Sequence, residues 1–129
     1  MAAGLLLDTD VLIDYLREEP KAVAYLEEIT ERACVSAITV GELYAGVREG
    51  EERAALDAFV RGFEVLPLDR EIAQRGGLIR RDYGRSHGVG LADALLAGSA
   101  LVHNLDLVTL NRKHFPMLSH VIVPYQKTS

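Results

Sequence analysis

Three carboxylates lie where an apolar segment or a loop gives way to a helical pattern. Asp8 follows the run Leu5 to Leu7, Glu42 comes shortly after the segment Ala33 to Ser36, and Asp93 begins a helix after a glycine-rich loop. Carboxylates gathered at one edge of a sheet repel one another unless a cation neutralises them. Oxygen ligands without cysteine or paired histidines suit Mg²⁺ or Mn²⁺. Because such an ion activates water and stabilises charge on phosphate, the predicted chemistry is phosphodiester hydrolysis.

Each acid also has a purely structural explanation when it is taken alone. Asp8 can form an Asx-turn, and Asp10 can cap the first helix. The spacing of Thr39 and Glu42 has the form of a capping box. Asp93 can complement a helix dipole, but its helix is otherwise almost entirely apolar, and burying a carboxylate there is costly without a cation or donors. The hydrolytic interpretation therefore depends on the acids meeting in space.

The elements that position these acids follow from the hydrophobic pattern. Unbroken apolar runs predict buried strands, and apolar residues at helical spacing predict helices between them. The predicted strands cover residues 5–7, 33–36, 63–68, 107–110 and 121–123, and the predicted helices cover 11–16, 20–30, 39–47, 51–61 and 70–85, with another from residue 91. Strands separated by helices imply right-handed crossovers. The predicted fold class is α/β, a three-layer α/β/α sandwich with a mostly parallel sheet of about five short strands, in a single domain over residues 1–129.

Charge is distributed unevenly along the chain. The net charge is −5, which argues against a generic nucleic-acid binder. Residues 1–69 carry 6 Lys and Arg against 15 Asp and Glu, whereas residues 70–129 carry 8 against 4. The first part therefore supplies most of the acids, and the second supplies the cations that can meet an anionic substrate.

Cys34 is the only cysteine, so an internal disulfide is impossible and a buried, inert thiol is expected. The run Leu5 to Leu7 is too short for a signal sequence, and the apolar stretch Ala94 to Val102 is too short to span a bilayer. We expect a cytoplasmic protein that has no membrane partner.

Four segments together resemble the PIN-domain ribonucleases, specifically the VapC-type toxins of toxin–antitoxin modules. They occur in the same order and extend over most of the chain: Leu7 to Asp14 (LDTDVLID), Ser36 to Leu43 (SAITVGEL), Leu91 to Ala97 (LADALLA) and Leu107 to Phe115 (LVTLNRKHF). The resemblance implies a PIN-like nuclease domain that cuts RNA with the help of Mg²⁺ or Mn²⁺. It also implies a homodimer and a cognate VapB-type antitoxin that blocks the acidic groove.

By this resemblance, Asp8 and Asp93 ligate the metal, and Glu42 completes the site directly or through water. The resemblance also implies that Thr109 holds the acids by its hydroxyl group. Relatives often carry a fourth acid at the position of Asn111 or His114, and this chain has neither. Asn111 is kept among the candidate catalytic residues because its amide oxygen can serve as a ligand.

Several cations are candidates for binding the phosphates of RNA. Arg112 and Lys113 adjoin the predicted site, and Arg81 and Arg85 are one helical turn apart. Solvent-exposed helix faces that contact no substrate explain such residues equally well. His87 and His114 are further possible donors.

Two other functions remain open at the level of sequence. Asp8 and Asp10 after an apolar strand also fit the opening of a haloacid-dehalogenase-like phosphatase, with Asp8 as nucleophile and Asp10 as general acid and base. The absent fourth acid also leaves room for a PIN-like module that binds RNA or a protein without cutting it. In the nuclease interpretation, Asp10 is the helix cap, and Asp14 faces solvent or supports the site.

Overall fold

The sheet is parallel throughout, as the alternation of strands and helices predicts. The computed structural model describes residues 2–126. The strands, in chain order, are β1 Leu5–Leu7, β2 Ala33–Ser36, β3 Glu64–Leu66, β4 Asp106–Val108 and β5 Val121–Ile122. Their order across the sheet is β3-β2-β1-β4-β5, with parallel pairing at every junction. The predicted α/β fold with five short strands is confirmed.

The helices also agree closely with the hydrophobic pattern. They are α1 Thr9–Leu16, α2 Pro20–Glu28, α3 Ala37–Ala45, α4 Glu51–Arg61, α5 Arg70–His87 and α6 Leu91–His103, followed by a 3₁₀ turn at Arg112–His114. The ends of the elements differ from the prediction by at most two residues, and the beginning of α3 is one example. The chain enters this helix directly from β2 instead of starting it at Thr39, because the Ser36 hydroxyl accepts a hydrogen bond from the backbone N–H of Ile38 at 3.1 Å.

Two hydrophobic clusters cover the two faces of the sheet. The central strand β1 contributes to both, since Leu6 packs against the side formed by α5 and α6, whereas Leu5 and Leu7 pack against α1, α3 and α4. All three leucines are buried, which is what an unbroken apolar run predicts for a strand covered on both faces. Cys34 is a buried, free thiol in the first cluster, as expected.

The contact between α5 and α6 depends on small residues. A Cβ atom on Gly76 would lie 2.6 Å from Cδ2 and 2.9 Å from Cα of Leu95, and one on Gly98 would lie 3.1 Å from the backbone nitrogen of Gly76. The glycines thus allow the two helices to approach closely. No helix in residues 2–126 combines the length and the hydropathy that crossing a bilayer requires.

The strand order determines where a site can form. The connections that leave β1 and β2 pass over one face of the sheet, and α5 and α6, which join β3 to β4, cover the other. The direction of winding therefore changes between β1 and β4. In open α/β sheets, ligands bind at the carboxyl ends of the strands at such a switch point. Asp8 follows β1 and Thr109 follows β4 at this position.

Candidate active site

Asp8 is the buried centre of the acidic edge. It occupies the N-cap position of α1, and its side chain is only 9% exposed. Oδ1 accepts a hydrogen bond from the backbone N–H of Thr9 at 2.7 Å, and Oδ2 accepts one from the hydroxyl of Thr109, also at 2.7 Å. Thr109 is fully buried at the end of β4. These two donors fix the orientation of the carboxylate, as expected for Thr109 from the resemblance.

The surroundings of Asp8 oppose its negative charge. Burial, followed by the charges of Asp10 and Asp93, raises the pKa of Asp8 from 3.8 to about 7, although hydrogen bonds from Thr109 and Thr9 act in the opposite direction. A carboxyl group that is buried near other acids is stabilised in its charged form by a nearby cation. Asp8 therefore lies in surroundings that disfavour its charged form in the absence of a cation.

Asp93 lies in the first turn of α6 and is half-buried. Burial raises the pKa of Asp93, the His114 side chain lowers it, and the charge of Glu42 raises it. Nδ1 of His114 is 3.2 Å from Oδ2 of Asp93. The sequence offered His114 as a possible donor to RNA and, through the family resemblance, as one position for a fourth acid. Its contact with Asp93 was missed because the two residues meet only through the fold.

Glu42 does not complete a capping box. It lies in the middle of α3, and its Oε1 accepts a 2.6 Å hydrogen bond from the hydroxyl of Thr9. The same hydroxyl lies 3.3 Å from the hydroxyl of Thr39, which is buried. The two residues of the supposed box are thus directed toward the start of α1. Thr9, which the sequence analysis did not single out, links Glu42 to the segment that carries Asp8.

Asp10 differs from its predicted role, and one of the two roles predicted for Asp14 is excluded. Asp10 is not the N-cap of α1, because Asp8 occupies that position. Oδ1 of Asp10 accepts from the backbone N–H of Val11 at 2.8 Å, and Oδ2 accepts from the backbone N–H of Leu110 at 3.1 Å. Asp14 does not face solvent, since it is 4% exposed and accepts a 2.8 Å hydrogen bond from the hydroxyl of Tyr125.

Asn111 is exposed and is directed toward Asp10. Its Nδ2 lies 3.4 Å from Oδ2 of Asp10, and its backbone N–H donates to the hydroxyl of Thr109 at 3.1 Å. The amide nitrogen therefore faces an acid, while the amide oxygen was the atom proposed as a ligand. A catalytic role for Asn111 stays a prediction.

The acids fit a divalent cation in their chemistry, but they are not arranged as a finished set of ligands. Asp8, Glu42 and Asp93 offer only oxygen donors, which are the ligands that Mg²⁺ and Mn²⁺ prefer. Within residues 2–126, however, no three His, Cys, Asp or Glu side chains stand together at metal-binding spacing. Glu42 is held by Thr9, and Asp93 is paired with His114. These two side chains must therefore reorient for a shared ion.

The predicted substrate-binding cations fall into two groups. Arg112 and Lys113 are exposed in the 3₁₀ turn, directly before the residue that contacts Asp93. Arg81 and Arg85 are exposed on α5, and Arg81 already pairs with Asp82 at 2.8 Å. Arg112 and Lys113 lie beside the acids, because their turn includes His114, which contacts Asp93. Among the described contacts of Arg81 and Arg85, none reaches Asp8, Glu42 or Asp93.

A cleft of about 490 Å³ opens beside Glu42. It lies between α1, α3 and α4, and its walls are largely apolar, with Leu16, Leu43 and Leu56 among the lining residues. Arg17 lies at the same cleft. An extended or helical segment that filled this cleft would reach one of the three acids.

The sequence also matches known proteins over nearly its whole length. The PIN domain family profile matches residues 5–119. The chain is 40% identical to ribonuclease VapC19 of Mycobacterium tuberculosis over 124 residues, which cover 93% of this chain and 98% of the relative. It is 35% identical to ribonuclease VapC1 of Methanocaldococcus jannaschii over 115 residues, which cover 88% of this chain and 80% of the relative.

Solved structures agree with these relatives. A toxin–antitoxin complex from Klebsiella pneumoniae contains a chain that superposes with a TM-score of 0.83 at 27% identity, covering 95% of this chain and 99% of that chain. FitAcB from Neisseria gonorrhoeae gives a TM-score of 0.74 at 30% identity, covering 93% and 97%. On this evidence, the chain belongs to the PIN-domain family and, within it, to the VapC ribonucleases.

Proposed function

We propose that the protein is a metal-dependent endoribonuclease toxin that hydrolyses RNA phosphodiester bonds and is restrained by a small VapB-type antitoxin. The observation that carries the proposal is the buried Asp8, which two threonine donors orient among the negative charges of Asp10 and Asp93. The naming of the relatives as VapC ribonucleases supports the choice of RNA as substrate.

In this proposal Asp8 and Asp93 hold Mg²⁺ or Mn²⁺, and Glu42 completes the site directly or through water. When bound, the ion eases deprotonation of the attacking water and stabilises charge on the scissile phosphate. Thr109 and the backbone of Thr9 keep both oxygens of Asp8 in place. Charge balance supports the ion. The charges of Asp10 and Asp93 oppose ionisation of Asp8, and the charge of Glu42 opposes ionisation of Asp93.

Arg112 and Lys113 are proposed to bind RNA phosphates beside the acids, because they are exposed in the turn that carries His114. Contacts of this kind supply affinity that falls as salt rises. Arg81 and Arg85 are the weaker candidates, since Arg81 is already paired with an acid.

The antitoxin is proposed to occupy the cleft beside Glu42. Its apolar walls suit the apolar face of a peptide segment, and the neighbouring acids suit a basic side chain at the end of that segment. Solved neighbours described as a toxin–antitoxin complex and as a DNA-bound VapBC from Salmonella typhimurium support a partner of this class. A homodimer belongs to the same proposal.

The test is metal-dependent cleavage of total cellular RNA by the purified protein, with product ends mapped. We expect cleavage with Mg²⁺ or Mn²⁺ and none after EDTA treatment. Asp8→Asn and Asp93→Asn should each lose at least about 100-fold in rate while keeping the fold, because each change removes a charge and little volume. Asp106→Asn is the matched control, since Asp106 begins β4 at the opposite edge of the sheet. Full activity of Asp8→Asn would contradict the site.

The same assay decides between the other functions. A non-cleaving module would bind RNA without any metal-dependent products. The phosphatase alternative is not retained, because the chain belongs to the PIN-domain family and both oxygens of Asp10 already accept backbone hydrogen bonds.

A further inference from the structure

The segment 109–115 connects β4 to the rest of the chain and carries several residues of the site. Thr109 donates to Asp8 at its beginning, and His114 contacts Asp93 near its end. Thr109 and Phe115 are buried, whereas Asn111 to His114 are exposed. The segment is thus anchored at both ends, and Leu110 packs partly buried against the second hydrophobic cluster, whereas residues 111–114 are exposed. The position of the cations therefore depends on what holds the residues that follow Leu110.

Asp10 contacts this middle part from another element. Its Oδ2 accepts from the backbone N–H of Leu110 at 3.1 Å and lies 3.4 Å from the side-chain nitrogen of Asn111. Asp10 belongs to the first turn of α1, so these contacts join residues 100 and 101 positions apart in the sequence. They connect the helix after β1 to the segment after β4, across the switch point of the sheet.

A carboxylate suits this place better than its neutral isostere does. Oδ1 faces the N–H of Val11, and Oδ2 faces N–H donors of the segment, so both oxygens accept. An asparagine has one acceptor and one donor, and it would place its NH₂ group against an N–H on one side.

We propose that Asp10 is a positioning residue that fixes segment 110–114, so that Arg112 and Lys113 are held against RNA phosphates beside the acids. The inference rests on the proposed function and adds to it a residue that acts without touching RNA or metal. A role limited to starting α1 would need only the contact of Oδ1 with Val11. The contacts of Oδ2 serve the segment instead.

The test measures binding of a 5′-fluorescein-labelled 20-nucleotide single-stranded RNA in EDTA, where no cleavage occurs. We compare wild type, Asp10→Asn, the double variant Arg112→Ala with Lys113→Ala, and all three changes combined. Asp10→Asn should weaken binding by about 5- to 10-fold at low salt, through loss of well-placed phosphate contacts. In the combined variant, the Asp10 change should add less than about 2-fold, because coupled residues are not additive.

Glu19→Gln is the matched control, because Glu19 also accepts a backbone hydrogen bond at a helix start, on α2. It should bind RNA as wild type does. If Asp10→Asn is too unstable, Asn111→Ala replaces it in the EDTA binding assay. This change removes the side-chain amide that donates to Asp10, and a smaller weakening is expected. With metal present, Asp10→Asn should raise the KM for RNA cleavage while kcat changes little.

Two results would overturn the inference: unchanged RNA affinity in folded Asp10→Asn, or an equal loss in the presence and absence of Arg112 and Lys113. Failure of the proposed function is distinguishable from both. It would appear as wild type that neither binds nor cuts RNA, or as full cleavage by Asp8→Asn, whatever the Asp10 variants do.

Discussion

The two edges of the sheet treat their acids in opposite ways. At the amino edge, Glu64 accepts two hydrogen bonds from the guanidinium of Arg32, at 2.8 and 2.7 Å, and this pairing lowers the pKa of Glu64. At the carboxyl edge, Asp8 is buried near other acids, and its pKa is raised to about 7. A paired, exposed acid requires no ligand, whereas an acid buried among like charges is suited to bind a cation. Glu64 therefore belongs to a surface ion pair, whereas Asp8 belongs to the candidate active site.

Among substitutions that leave the three acids in place, removal of the donor that orients Asp8 should have the largest effect. Thr109→Val keeps the shape of the buried side chain and deletes the 2.7 Å hydrogen bond to Oδ2. We expect cleavage to fall by about 10- to 100-fold, as for residues that orient metal ligands. Metal affinity, followed by calorimetry with Mn²⁺, should fall as well. Unchanged affinity and rate would mean that Thr9 alone suffices to orient Asp8.

The raised pKa of Asp8 also predicts how the stability of the metal-free protein depends on pH. Asp8 titrates near 3.8 in the unfolded chain and near 7 in the folded one, because burial and the charge of Asp10 disfavour the carboxylate. The folded state therefore binds the proton more tightly than the unfolded state does. The resulting contribution to the free energy of unfolding is fully present below about pH 4 and is lost as the pH rises through about 7. Metal-free protein should melt at a lower temperature at pH 8 than at pH 5.5.

Two comparisons attribute this melting behaviour to Asp8. Asp8→Asn should show a smaller fall between the two pH values, because its side chain does not ionise. Adding Mn²⁺ to wild type at pH 8 should raise the melting temperature, since a ligand that binds only the folded state stabilises it. The same fall in wild type and Asp8→Asn would assign the effect to other groups.

The smallest effect is expected at the amino edge. Glu64→Gln removes the ion pair between Glu64 and Arg32. The side chain of Arg32 is 42% exposed and that of Glu64 is 49% exposed. Because exposed ion pairs contribute little, the melting temperature should change only slightly, and RNA cleavage should not change. Arg32→Gln provides the reciprocal variant. A clear loss of cleavage in either variant would mean that the two edges are not independent.

The elements of the fold were predictable because their signals are local. The run Leu5 to Leu7 predicts a strand buried on both faces, and all three leucines are buried. The start of α3 was wrong because two side chains, Ser36 and Thr39, were both possible caps, and only the backbone decides between them.

The candidate site was predictable only in its composition. Residue types and family resemblance identified Asp8, Glu42 and Asp93, but several of their partners are remote in sequence. Thr9 reaches Glu42 across 33 positions. His114 meets Asp93, a contact that neither its possible role as a donor to RNA nor its position in the family resemblance predicted. No local pattern records such pairs, because they depend on which strands become neighbours.

The sequence by itself therefore determined the order of elements and a mostly parallel sheet, since these follow from local periodicity and from the alternation of strands and helices. The tertiary structure decided what each acid does there. It made Asp8 the buried cap held by Thr109, and it turned Asp10 toward the segment after β4. The reason is physical: the pKa and the hydrogen bonds of a carboxylate depend on burial and on charges that the fold brings together.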